Sequence, residues 1–143
     1  MTYATQQQLV DRFGADELIQ ITNQDDPTAT MVHATRVTNA AADVDALIDA
    51  KLGARYALPL ASVPLVLTNI AADLVRARLY DDRLPDRLAD RERAALKLLD
   101  QVADGTLSLG LDAAAQATPP SDGPQYFTGS SVFTADSLRD FAP

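Results

Sequence analysis

Residues 55–82, RYALPLASVPLVLTNIAADLVRARLYDD, decide how the chain folds. Pro59 and Pro64 each drive the residue before them, Leu58 and Val63, out of the α region. Residues 55–63 are therefore expected to form an extended connector that carries Tyr56, Leu58 and Leu60 into apolar surroundings. Pro64 suits the first turn of a following helix, where its missing N–H costs nothing. From there to about Tyr80 the pattern is helical and apolar nearly all round. Val66, Leu67, Ile70, Leu74 and Ala77 form one face, which Ala71, Ala72, Val75 and Leu79 widen. Such a helix is central to a bundle, or partly covered by another subunit.

Working toward the N-terminus, ATRVTNAAADVDALIDAKLG is the cleanest helical pattern. Val37, Ala40, Ala41, Val44, Leu47, Ile48 and Leu52 follow the i, i+3/i+4, i+7 rule, with Lys51 interrupting the stripe and Gly53 supplying the stop. Full burial of its Val, Leu and Ile side chains is worth about 1.5–3 kcal/mol each before chain entropy is charged. The opening TYATQQQLVDRFG predicts a short helix, with Thr5 and Gln8 at capping-box spacing and Gly14 as terminator. ADELIQITN predicts a second, with Asp16 as its cap. Asp26-Pro27 marks a loop between these and the long helix.

Toward the C-terminus, YDDRLPD breaks the pattern. A last helix is expected over about 86–104, with Leu88, Ala95, Leu96, Leu99, Val102 and Ala103 inward and Gly105 as its stop. TLSLGL, 106–111, reads as an edge strand or extended arm. From 112 the composition turns to Ala, Ser, Thr, Pro and Gly without helical period, a linker over 112–125. The terminal segment, 126–143, ends in VFTADSLRDFAP. The expected class is all-α: a small bundle of about four main helices in 1–111, an extended arm, and a C-terminal docking tail.

Composition limits the function classes. The chain has 143 residues, 47% hydrophobic, enough for a core, and a net charge of -8. That charge argues against a generic nucleic-acid binder, which needs a basic footprint, and would repel DNA passing nearby. With no Cys there is no disulfide framework, thiolate zinc site or thiol nucleophile. MTYATQQQ lacks the basic start and apolar core of a signal peptide. The apolar run inside 57–67 is broken by two prolines and too short to span a bilayer. The charge is uneven: residues 1–75 hold 4 basic and 9 acidic groups, residues 76–97 hold 7 and 5, and residues 98–143 hold 1 and 6.

The chemistry-bearing candidates are few. His33, the single histidine, sits beside a loop of Thr and Ala and reads as a loop or helix-entry residue rather than a base. Asp25-Asp26 and Asp81-Asp82 lack the spacing of a hard-cation loop and read as turn and capping residues. No glycine-rich phosphate loop, G-x-S-x-G or H-E-x-x-H is present. No catalytic residue, metal or cofactor is expected. The cluster Arg76, Arg78, Arg83, Arg87, Arg91 and Arg93 could grip phosphate, but its alternation with Asp favours a salt-bridged face or a lateral subunit interface. In the tail, Phe133, Leu138 and Phe141, with Val132, look like anchors on a tether that docks on a partner.

Several stretches resemble a family in the same order and at similar spacing. They are MTYATQQQLVDRFGADELIQITN, ADVDALIDAKLGARYALPLASVPLVLTNIAADLVRARLYDD and ALKLLDQVADGTLSLGL, across roughly 1–111. They resemble the Mu-like phage gp36 family, small head–tail connector proteins of tailed bacteriophages. The RYALPL…VP connector followed by IAADLVRARLYDD is the most specific piece, and VFTADSLRDF is similar to the way such proteins end.

The resemblance implies a non-enzymatic structural protein of the virion neck, assembled in the bacterial host cytoplasm, in an infectious phage or a tail-like or gene-transfer particle. It implies a homo-oligomeric ring of about twelve copies beneath the portal protein. The terminal segment would reach the portal, with Phe133, Leu138 and Phe141 docking there. The ring would present a surface to a stopper or tail-completion protein while DNA passes through without specific binding, and no membrane is involved. A tail-completion or stopper-side role is the alternative, and a small packaging-associated hydrolase or nuclease a more distant one.

Overall fold

A computed structural model describes residues 1–80 and 84–111. Among these the chain forms five helices and no strand: α1 (Gln6–Phe13), α2 (Ala15–Thr22), α3 (Ala34–Leu52), α4 (Leu65–Tyr80) and α5 (Asp86–Asp104). The all-α expectation holds, as two short helices leading into three long ones. The linker expected at 112–125 and the terminal segment 126–143 lie outside the described residues.

α1 starts at the expected capping box. Thr5 Oγ1 accepts from the Gln8 N–H, and Gln8 Oε1 accepts from the Thr5 N–H at 2.8 Å. Gly14 ends α1, its N–H donating to the Val10 carbonyl at 2.9 Å, and is also the N-cap of α2. Its φ of 90° turns the chain within one residue. This corrects the role expected of Asp16. Because Gly14 starts the helix two residues earlier, Asp16 and Glu17 lie in the first turn, where carboxylates meet the positive end of the helix dipole.

The long helices supply most of the core. α3 buries Val37, Ala40, Val44, Ile48 and Leu52 at helical spacing. The connector after it brings Tyr56 and Leu60 into the core and packs Leu58 against it, as the prolines require. The Pro64 carbonyl accepts the N–H groups of Leu67 and Thr68, so Pro64 stands at the threshold of α4. α4 buries Leu67, Ile70, Ala71, Ala72, Leu74, Val75, Ala77 and Leu79. It packs chiefly between α3 and α5 and also meets α1 and α2, which explains why it is apolar nearly all round.

α5 buries Ala95, Leu99 and Val102 and ends at Gly105, which is left-handed with φ 81°. The N–H of Leu107 returns to the Gln101 carbonyl at 2.9 Å. The stretch expected to extend as an arm is irregular instead. Leu109 is buried and Leu107 and Leu111 pack on the core, so 106–111 lies along its own chain. Its alternating leucines find the hydrophobic core, where burial favours contact over projection. No helix among the described residues is long and apolar enough to cross a membrane.

Candidate interaction surface

The arginines expected to act together at 76–93 fall into separate environments. Arg76 is turned into the bundle. Its guanidinium meets Glu17 of α2 at 2.5–2.6 Å and stacks 4.5 Å from the Phe13 ring centroid. The Tyr80 hydroxyl donates to the same Glu17 carboxylate at 3.0 Å, and burial and that carboxylate push the Tyr80 pKa up. Beside this network Arg12 bridges α1 to Asn69 and Asp73 of α4. Arg76 thus joins the short helices to the central one.

Arg78 is exposed on the last turn of α4, at the rim of a polar cleft with Gln24, Arg36, Asn39 and Asp43. Arg83 lies outside the described residues. Arg93 is exposed and pairs with Asp90 at 2.7 Å on the same helix. Arg87 and Arg91 are exposed on α5 and have no ion-pair partner among the described residues. Phe133, Leu138 and Phe141 lie outside the described residues.

Two surface features escape a reading by residue type. On α5, Arg87, Arg91, Ala94 and Leu98 stand at i, i+4, i+7 and i+11, all exposed, with Leu98 40% exposed. They form one stripe beside the buried face. The spacing was available in the sequence, where Leu98 already falls outside the inward residues of the helix, but residue type alone does not align it with Arg87 and Arg91. Across the molecule, α2 and the loop after it enclose an open concavity of about 800 Å³. Asp16, Ile19, Gln20, Asn23, Asp26 and Ala29 line it. Met31, 78% exposed, follows in the same loop.

That loop is held in place by several hydrogen bonds. Asn23 Nδ2 donates to the carbonyls of Ile19 (2.9 Å) and Met31 (2.8 Å). Gln24 Nε2 donates to Ile21 and Leu79 carbonyls. The fully buried Thr22 hydroxyl accepts the His33 N–H at 3.1 Å and donates to the Leu18 carbonyl. His33 is the N-cap of α3, a helix-entry residue whose Nδ1 accepts from the Arg36 N–H. Asp25 pairs with Arg36 at 2.5 Å. Asp26 accepts both the hydroxyl and the N–H of Thr28, which hold its carboxyl below the ordinary range. Asp81 and Asp82 lie outside the described residues. Among the described residues no group of three or more His, Cys, Asp or Glu side chains is gathered to hold a metal.

A further cluster fixes the start of the chain. Tyr3 is buried, its hydroxyl donating to Asp49 and its N–H to Asp45 Oδ1 at 3.0 Å, while the Met1 ammonium meets Asp49 at 3.3 Å. Burial, then the Asp49 carboxylate, push the Tyr3 hydroxyl far above its ordinary value. Burial also raises the Asp45 pKa, against the Tyr3 N–H that lowers it. These side chains anchor 1–4 to α3.

The fold defines a small all-helical module of two short and three long helices. The chain belongs to the bacteriophage Mu Gp36 family, whose model matches residues 3–127. It is 30% identical over 139 residues to the Mu-like prophage FluMu protein gp36 of Haemophilus influenzae, covering 97% of each chain. It is also 30% identical over 83 residues to gene product J of Escherichia phage Mu, spanning 58% of this chain and 59% of that protein.

Proposed function

We propose that the protein is a non-enzymatic head–tail adaptor of a phage or phage-derived particle, assembled in the bacterial host cytoplasm and resident in the virion neck. Copies form a ring beneath the portal protein, residues 126–143 dock on the portal, and the ring offers its other side to a stopper or tail-completion protein. The observation that carries this reading is the match to a Mu phage protein family along nearly the whole chain. The acidic balance, a net charge of -8, suits a ring through which DNA slides without adhering. The lateral contacts belong to the arginines of 78–93, of which Arg78, Arg87, Arg91 and Arg93 are exposed, since Arg76 is engaged by Glu17 within its own chain.

The test is binding of the purified chain to portal-bearing heads that lack tails, followed by sedimentation. The full chain should sediment with the heads in ring stoichiometry. A chain ending at residue 125 should keep its helical core and lose head binding. A full chain that ignores heads but binds tail tubes would replace this reading with the tail-side one.

A further inference from the structure

We infer that neighbouring copies join heterologously, the α5 stripe Arg87–Arg91–Ala94–Leu98 of one copy seating in the groove between α2 and the 23–32 loop of the next. This rests on the ring proposed above only for where the contact is used. Two surfaces of one chain are complementary in charge and apolar character.

The stripe carries two guanidinium groups without an ion partner among the described residues, followed by a small and an apolar side chain. It runs about 16 Å along the helix. The groove offers both kinds of chemistry that the stripe needs. Asp16 and Asp26 supply carboxylates, with Asp26 kept ionised by Thr28, and Ile19 and Ala29 supply a half-buried apolar floor. A volume of about 800 Å³ accommodates a row of side chains from a helix. The hydrogen bonds of Asn23, Gln24 and Thr22 set the loop before any partner arrives, which lowers the ordering cost of association.

The two surfaces do not satisfy each other within one copy. α2 packs on α1 and α4, α5 packs on α3 and α4, and α4 stands between them. A stripe-on-stripe contact with the helices parallel would set Arg87 and Arg91 against the same residues of the partner, a like-charge juxtaposition, and with the helices antiparallel it would set them against Leu98 and Ala94, where no carboxylate meets them. The head-to-tail arrangement avoids this, and repeated application of one such contact closes a ring if the rotation permits.

The chain has no cysteine, so cross-linking can be directed. One chain carries Gln20→Cys and another Leu98→Cys, with Ala94→Cys as a second choice if the Leu98 variant folds poorly. They are mixed and oxidised, both free at high concentration and on portal-bearing heads. The expected product is the mixed disulfide, in excess of either like pair. Arg91→Glu in the Leu98→Cys chain should abolish it, and Asp16→Arg in the Gln20→Cys chain should restore it. Like pairs as abundant as mixed ones, insensitivity to Arg91→Glu, or no cross-link even on heads that carry the protein would overturn the inference. Mixed product in solution from a chain that never binds heads would support the contact and reject the adaptor reading instead.

Discussion

The guanidinium of Arg55 lies over the α-carbon of Gly105, in the space a side chain at 105 would occupy. Gly105 is the left-handed residue ending α5. The cation therefore sits at the negative end of the helix, 6.0 Å from the Tyr56 ring centroid. Its Nε is buried without a hydrogen-bond partner among the described residues. Gly105→Ala combines backbone strain with a collision and should destabilise the fold by about 1–3 kcal/mol. Adding Arg55→Ala should recover the collision part alone, so urea unfolding of the double variant will depart from additivity.

Leu65 and Leu67 stand two residues apart on α4 and differ in everything but type. Leu65 is 73% exposed and Leu67 is fully buried. Leu67→Ala should cost about 2–5 kcal/mol through lost burial and a residual cavity. Leu65→Ala should change stability by no more than about 0.5 kcal/mol. Equal effects in urea unfolding would show that α4 is not oriented as described.

The Glu17–Arg76 pair is mostly buried on both sides, while Lys51–Asp100 is more open to water. Glu17→Ala strands the guanidinium of Arg76 and removes the acceptor of Tyr80, for a cost of about 1–3 kcal/mol. Lys51→Ala should cost under about 1 kcal/mol, and less in high salt. Thermal melts at low and high salt separate the two.

The way the chain was readable differs between core and surface. Proline placement and the apolar breadth of 64–80 were enough to bound α4 and to narrow its place to the bundle centre or a subunit contact, because both signals are local and strong; the structure packs it between α3 and α5. The α5 bounds followed from the break at YDDRLPD and from Gly105 for the same reason. The fate of the arginines was not legible: Arg76 and Arg78 differ by two positions, yet one faces Glu17 across 59 residues of chain and the other faces solvent. The groove behind α2 depends on Asn23, Gln24 and Thr22 reaching distant carbonyls and amides, which no periodicity encodes. Tyr3 gave no sign of its burial, since a single aromatic near a terminus carries no pattern.

Tyr3 and Tyr80 give the fold an alkaline limit. Both hydroxyls have pKa values raised above 10.0 by burial first and a neighbouring carboxylate second. The folded state therefore holds their protons more tightly than the unfolded chain does. The stabilisation is fully present below pH 10.0, the ordinary value, and is lost as pH rises toward the folded values. Stability should fall steadily above that point. Tyr3→Phe should flatten the slope there while costing about 1 kcal/mol at neutral pH for the lost bond to Asp49. Urea midpoints measured across the alkaline range for wild type and variant will show whether the slopes differ.

The folding-back of 106–111 has a mechanical consequence. With Leu109 buried, and Leu107 and Leu111 pressed on the same core, a pull on the residues beyond 111 does not simply fray the end of α5. The load enters at the leucines, whose apolar surface must leave the core before the chain end comes free. Tension from beyond residue 111 would therefore be borne first by the side chains of these leucines in the core rather than by the backbone hydrogen bonds that end α5.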